Sequence, residues 1–371
     1  MTTIIIFVLI LGLLVLVHEL GHFIVAKKAG AKIEEFGIGF PPRLFSVKKG
    51  ETRYSLNLIP LGGFVKILGE DGDDKKDPRS FASLKYWKKV LVLIAGVSMN
   101  MVLAAVLLSI GFKIGLPTAI SDDYQNGELR DPKVQVLEVT DGSPAKENDI
   151  QIGDQILTIS GHEIQTVTDV QQYINENKGV ETTVTLKRGD KILDKTLTPR
   201  TEYPEDEGAT GVALVRTAIV SYPFFESIWK GIVATLSLTI TIVVTFAEII
   251  KNLLVGEKAS LDVAGPVGIA VMTNQAAKMG IPYLLQFTAL LSVNLAIINI
   301  LPIPALDGGR LLFATVEKIR RKPMNKKTEN MVHLIGFTVL MLLMVVVTFR
   351  DVIKFKDIFF NFWESIKGIF S

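Results

Sequence analysis

Between Thr3 and Ala26 the chain runs through Ile, Leu, Val, Phe and Gly, and only His18, Glu19 and His22 interrupt the run. A stretch of that length crosses a bilayer as one helix. Ionisable groups in hydrocarbon cost about 2.5–3.5 kcal/mol each on insertion scales, so three of them in one span imply a use. In a helix, His18 and His22 stand one turn apart on the same face, with Glu19 about 100° around the axis from His18. This His-Glu-Leu-Gly-His spacing lets two imidazoles hold one zinc ion while a carboxylate polarises a bound water.

Composition narrows the remaining choices. Hydrophobic residues make up 49% of the 371, too many for an ordinary soluble chain, and the formal net charge of +2 suggests no nucleic-acid partner. The absence of cysteine excludes disulfides, thiolate catalysis and sulfur ligands, so any metal is held by His, Asp or Glu. The N-terminus lacks the basic start and small-residue cleavage site of a secretory signal, so the first apolar run is expected to stay in the mature protein.

Five stretches are apolar enough to enter a bilayer: 4–25, 90–112, 231–250, 284–304 and 333–349. Lys27, Lys28, Lys48, Lys49, Lys85, Lys88 and Lys89 flank the loop between the first two. Lys318, Arg320, Arg321, Lys322, Lys326 and Lys327 crowd the connection before the last. Both segments are expected to be cytoplasmic by the positive-inside bias, which leaves the acid-rich stretch 113–227 outside. If 231–250 also crossed, the basic segment around Arg320 would end outside. The expectation is therefore four spans, with 231–250 lying along or dipping into the membrane between Trp229-Lys230 and Glu248…Lys251. A fifth crossing is the alternative.

Residues 294–310 complete the candidate site. Pro302 and Pro304 lack a backbone donor and unwind a helix, which is tolerated at membrane depth only where the backbone is buried in protein or faces a wet cavity. Asp307 follows, then Gly308 and Gly309, which permit close helix approach. With four spans Asp307 and His22 share the cytoplasmic side, making Asp307 the natural third ligand. Two neutral imidazoles and one carboxylate leave the fourth tetrahedral position to water, and Glu19 is placed to take its proton and pass it to the leaving amine.

The loop between the first two spans alternates in strand fashion. Tyr54, Leu56 and Leu58 alternate with Ser55 and Asn57, Pro60–Gly63 reads as a turn, and Phe64–Ile67 as a second strand, giving an expected hairpin over 53–68. Its edge could pair with an unwound substrate, or the hairpin could merely pack the loop. Residues 134–200 alternate similarly around Gly142-Ser143-Pro144-Ala145 and Ile152-Gly153-Asp154, with a helix expected over Val167–Asn177, a strand over Thr182–Lys187 and a closing strand near Thr210–Leu214. His162 and His333 are expected at the surface and the interface rather than on a metal. The tail from Ile353 reads as an amphipathic interfacial helix.

These residues together resemble the site-2 protease family, zinc metalloproteases that cut peptide bonds within membranes. The resemblance covers nearly the whole chain: the helix-borne His-Glu-x-x-His, the Asn-x-x-Pro-x-x-x-x-Asp-Gly segment from Asn299 to Gly308, and a single PDZ-like domain of the circularly permuted bacterial type. The chain is most similar to the regulator-of-sigma-E subgroup in its one-PDZ form. Gly265–Ile269 also resembles a family segment, whereas Pro41-Pro42 departs from the Gly-Pro of many relatives. The resemblance implies that His18, His22 and Asp307 bind Zn2+, that Glu19 is the general base, and that Asn299 holds the substrate backbone. The substrate-binding set is expected to be Asn299, Pro302, Pro304, Gly62 and Gly63.

The expected fold is an α-helical polytopic membrane protein with four transmembrane helices, interfacial helices, a membrane-associated β-hairpin and an inserted extracytoplasmic α/β PDZ domain. The parts are 1–112 with the zinc motif and cytoplasmic hairpin, 127–217 as the PDZ domain, 218–283 as a membrane-associated amphipathic or re-entrant region, 284–349 with the last two spans, and 350–371 as the tail. The expected protein is a multi-pass bacterial plasma-membrane endopeptidase whose site faces the cytoplasm. Its expected partners are the lipid bilayer and single-span membrane substrates such as anti-sigma factors or signal-peptide remnants. A zinc transporter would show inverted repeats, which the sequence lacks. A non-catalytic PDZ scaffold would leave the metal triad without a purpose.

Overall fold

The computed structural model describes residues 2–70, 77–124, 128–189, 191–204, 207–256, 264–322 and 324–354. In chain order, α1 (Thr2–Ala29) leads into β1 (Ile33–Lys49), β2 (Thr52–Ile67) and α2 (Tyr86–Ile114). Next come β3 (Leu116–Ile120), β4 (Glu128–Val139), α3 (Pro144–Glu147), β5 (Gln155–Ile159), β6 (His162–Glu163) and α4 (Val167–Glu176). They are followed by β7 (Thr182–Arg188), β8 (Lys191–Leu197) and β9 (Val212–Ser221). The described chain finishes with α5 (Phe224–Val255), α6 (Pro266–Met279), α7 (Ile281–Ile300), α8 (Asp307–Arg320) and α9 (Lys326–Lys354). It divides into two units, Met1–Ile110 with Ile228–Ser371, and Gly111–Ser227.

Among the described residues of the chain, α1, α2, α5, α7 and α9 are long and apolar enough to cross a membrane. The fourth apolar run ends at Ile300, four residues short of its expected limit, because the chain cannot stay helical into Pro302 and Pro304. The segment 231–250 is the interior of a single 32-residue helix. That helix runs antiparallel to α2. A Cβ at Gly231 would meet Ser109 Oγ at 2.2 Å, and the Thr239 hydroxyl donates to Met101 Sδ at 3.8 Å. This portion of α5 thus lies alongside α2. Residues 350–354, expected in the tail, extend α9, and the rest of the expected amphipathic tail lies outside the described residues.

The strands between α1 and α2 differ from the expected hairpin in one respect. β2 is continuous through Pro60–Gly63, and its two halves pair with β1 and not with each other. Glu35 to Ile38 are flanked on one side by Lys66 to Gly63 and on the other by Arg53 to Leu56, while Arg43 to Lys49 pair back along Asn57 to Thr52. The reversal at Pro60–Gly63 is therefore a bend that brings both halves of β2 against the start of β1. The missing signal was β1 itself, whose Gly37-Ile38-Gly39-Phe40-Pro41-Pro42 reads as loop by composition. The paired strands bury Thr52, Ser55 and Asn57 and turn Phe40, Leu44, Phe45, Leu56 and Leu58 outward, the reverse of a water-soluble sheet.

The second unit is built the ordinary way. Its sheet has the order β3-β9-β4-β5-β7-β8, with β6 paired to β5. Val134, Val136, Ile156, Ile159, Val184 and Leu186 of the strands pack with Val170 and Ile174 of α4 in one apolar core. A reciprocal cap starts α4: Thr166 Oγ1 accepts the Asp169 N–H at 3.1 Å, and Asp169 Oδ2 accepts the Thr166 N–H at 2.8 Å. Asp154, wholly buried, accepts Arg188 Nε at 2.7 Å and Nη2 at 2.8 Å. The Gln151 N–H adds a third bond at 2.9 Å.

Candidate metal centre

Helical periodicity puts His18 and His22 on one face of α1, where they are 6% and 8% exposed. The turn that ends α7 at Ile300 and starts α8 at Asp307 then brings a carboxylate from 285 residues away in sequence from His22. His18 Nε2 lies 3.0 Å from Asp307 Oδ2, His22 Nε2 lies 3.2 Å from the same oxygen, and the two Nε2 atoms are 3.2 Å apart. A tetrahedral zinc with bonds of about 2.0–2.1 Å has ligand edges of about 3.3–3.4 Å, so this triangle has the size of one face of such a site.

The hydrogen-bonding of the rings tests the fit further. His22 Nδ1 lies 2.8 Å from the Val92 carbonyl oxygen, which can only accept. Nδ1 must therefore carry the ring proton, and a neutral His22 has a bare lone pair on Nε2. That lone pair points at a carboxylate oxygen and at a second imidazole nitrogen. On the other ring, His18 Nδ1 is 3.4 Å from the Asn100 side-chain amide. Asn100 Oδ1 is buried without a partner among the described residues. An amide turned so that this oxygen accepts the His18 Nδ1 proton satisfies the orphaned atom and bares His18 Nε2 as well. Three converging acceptors repel one another unless a cation sits among them, so the residues fit a zinc ion held by His18, His22 and Asp307.

Close packing of α2 on α1 makes the pocket. A Cβ at Gly96 would fall 2.3 Å from His22 Nε2 and 2.7 Å from His18 Cε1, so only glycine lets the α2 backbone cover both rings. At the other wall, a Cβ at Gly308 would overlap the Leu301 oxygen at 2.1 Å, which lets the unwound 301–306 segment fold back over α8. Arg310 of α8 forms an ion pair with Glu70 beside it.

The other expected residues fall around this centre. Glu19 is half-buried and has no hydrogen-bond partner among the described residues; its Cγ is 3.8 Å from where a Gly63 Cβ would be. A Cβ at Gly62 would lie 3.3 Å from Val15 Cγ1, so the bend of β2 follows the face of α1 that carries Glu19. Asn299, in the last turn of α7, is half-buried with no side-chain hydrogen bond among the described residues. Pro302 is exposed, and Pro304 seats on α9 at Gly336. His162 is exposed on β6 with its ring 5.3 Å from that of Tyr173. Sequence reasoning missed the Val92 carbonyl, Gly96 and Asn100. Only Asn100 left a signal, as an amide inside an apolar span.

Known proteins resemble the chain over most of its length. Residues 6–343 match the family model described as peptidase family M50. A Clostridium perfringens protein is 40% identical over 341 residues, which is 92% of this chain and 95% of its own. The zinc metalloprotease RasP of Bacillus licheniformis is 34% identical, covering 95% of this chain and 99% of its own. The regulator of sigma-W protease RasP of Bacillus subtilis is 35% identical, covering 94% and 98%. Among solved structures, a Listeria monocytogenes PDZ domain covers 24% of this chain and 92% of its own at 24% identity, with a TM-score of 0.21. With a family match over nearly its full length and relatives of this identity, the chain belongs to peptidase family M50, the site-2 protease family of intramembrane zinc metalloproteases.

Proposed function

We propose that this enzyme hydrolyses peptide bonds within or near the transmembrane segment of single-span membrane proteins, with its site toward the cytoplasm. The observation that carries the reading is the convergence of His18, His22 and Asp307, three acceptors 3.0–3.2 Å apart in a pocket walled by membrane-length helices. Zinc, when bound by these three, supplies Lewis acidity for the attacking water and the scissile carbonyl. Glu19, close by and unpaired, takes a proton on its carboxylate from that water and returns it to the leaving amine.

A helical substrate hides its amides, so it must unwind and find new partners. The Gly63–Ile67 stretch of β2 offers them. One edge pairs with β1, and no strand pairs with the other among the described residues. Strand addition there lays a substrate past Glu19, with the Asn299 amide available to its backbone and Pro302 and Pro304 keeping the facing segment extended. Outward Phe40, Leu44, Phe45 and Leu58 suit a sheet lying in the cytoplasmic leaflet.

The same contacts support a four-span topology. The C-terminal halves of α1 and α7 and the N-terminal half of α2 meet at the site, so α1 and α7 run one way and α2 the other. The chain between α2 and α7 then crosses an even net number of times. α5 enters beside α2, while Gly268 at the start of α6 donates to Asp351 Oδ2 at 2.7 Å. Asp351 lies about 27 Å along α9 from His333, which touches the Asp307 loop. A Gly265 on the outer side supports four net crossings, with 231–250 lying along or dipping into the membrane.

The second unit takes the PDZ role, selecting substrates by their extracytoplasmic ends. An anti-sigma factor is the favoured substrate class because the Bacillus subtilis relative is named a regulator of sigma-W. Signal-peptide remnants are the second class. The deciding test is purified Glu19→Gln assayed on a single-span substrate. Cleavage is expected to fall by about 10²–10⁴-fold with zinc content unchanged, and undiminished turnover would overturn the reading.

A further inference from the structure

Ala305 has φ +78°. A residue with a Cβ occupies this left-handed region only where its surroundings hold it. The position is two residues before Asp307, on the unwound segment that aims the carboxylate at the two imidazoles. Within the segment the Ile303 N–H bonds to the Leu301 oxygen at 2.7 Å and the Leu306 N–H to the Ile303 oxygen at 3.2 Å. The Ala305 N–H goes elsewhere: His333 Nδ1 of α9 accepts it at 2.9 Å.

The imidazole is held in turn. Its ring meets Phe313 of α8 edge-on, with centroids 5.1 Å apart. One turn along α9, a Cβ at Gly336 would come within 2.6 Å of the Pro304 oxygen, so the segment presses directly on the α9 backbone. Since Nδ1 accepts, the proton of the neutral ring sits on Nε2. α9 is otherwise poorly covered: in its most apolar window none of the residues is buried. Two of its close contacts are made on this short segment.

We propose that His333 is a positioning residue for the metal centre: by accepting the Ala305 N–H it locks the left-handed turn that holds Asp307 against His18 and His22. The inference rests on Asp307 being a zinc ligand, and the experiment separates the two. Zinc retention against a competing chelator is measured on the full-length protein in detergent, with circular dichroism as the folding control. Asp307→Ala is expected to lose the metal, and if it keeps zinc the ligand reading fails first.

With that established, His333→Leu is expected to bind zinc about tenfold or more weakly. His333→Asn, whose Oδ1 can accept the same N–H, is expected to recover most of the loss. Glycine enters φ > 0 without a Cβ penalty. In an Ala305→Gly background His333→Leu is therefore expected to cost less than in the parent. Zinc binding by His333→Leu equal to the parent, while Asp307→Ala binds none, would overturn the inference. So would a loss of the same size in the Ala305→Gly background with no recovery in His333→Asn, which is the pattern of general packing damage.

Discussion

The two units bury polar groups for opposite ends. In the helical unit, His18, His22 and Asn100 are buried with their polar atoms incompletely matched: three acceptors face one another, and Asn100 Oδ1 has no partner among the described residues. In the sheet unit, Asp154 is equally buried, yet all its demands are met by Arg188 and the Gln151 N–H. A satisfied buried charge specifies a fold, whereas an unsatisfied cluster signals something still to be bound. The apolar surface is inverted in the same way. The sheet unit hides its valines and isoleucines around α4, while α5 and α9 expose theirs along their length, as lipid demands.

That contrast can be broken most forcefully at Gly96. Gly96→Val puts a side chain where His22 Nε2 now lies, and both zinc and cleavage are expected to fall by about 100-fold or more. Hydrogen exchange of peptides from 128–189 is expected to be unchanged. Loss of protection there would mean that the two units are not energetically separate.

The reciprocal experiment is Asp154→Asn, which removes the buried carboxylate that holds Arg188 and leaves the guanidinium only the exposed Asp149 carboxylate, 3.2 Å away. A destabilisation of about 3 kcal/mol in the sheet unit is expected, the low end for breaking a buried pair because Arg188 keeps some solvent. It is read as faster exchange across β5 and β7, with zinc stoichiometry intact. Metal loss in this variant would contradict the division.

The smallest effect concerns acid. Burial pushes the Asp122 carboxyl up, but hydrogen bonds from the Thr168 hydroxyl and from the Thr168 and Val167 N–H groups outweigh it and hold the group below its ordinary value. A depressed carboxylate stabilises the fold fully above its unfolded pKa of about 3.9, and the benefit disappears as pH falls through the lower folded value. Protection at the start of α4 is expected to decline below about pH 4 in the parent and to vary less in Asp122→Asn. Equal acid sensitivity in both would remove Asp122 from the account.

Local chemistry made much of this legible beforehand. The spacing of His18, Glu19 and His22 needs only the 3.6-residue period, and Pro302 and Pro304 mark where α7 must stop. The helix expected over Val167–Asn177 is α4, one residue shorter at its end. The strand pairing in the loop between α1 and α2 was less legible, because β1 carries two prolines and two glycines and its pairing with both halves of β2 leaves no alternating trace.

By itself, then, the sequence determined which groups could serve as ligands and base, and that His18, Glu19 and His22 stand in a helix too apolar for water. Tertiary structure decided which nitrogen of His22 is bare, through a carbonyl 70 residues away. It also decided how closely α2 covers the rings, and which helix holds the backbone ahead of Asp307. These depend on distances between elements remote in sequence, where a shift of one ångström changes a contact and no local pattern carries a record of it.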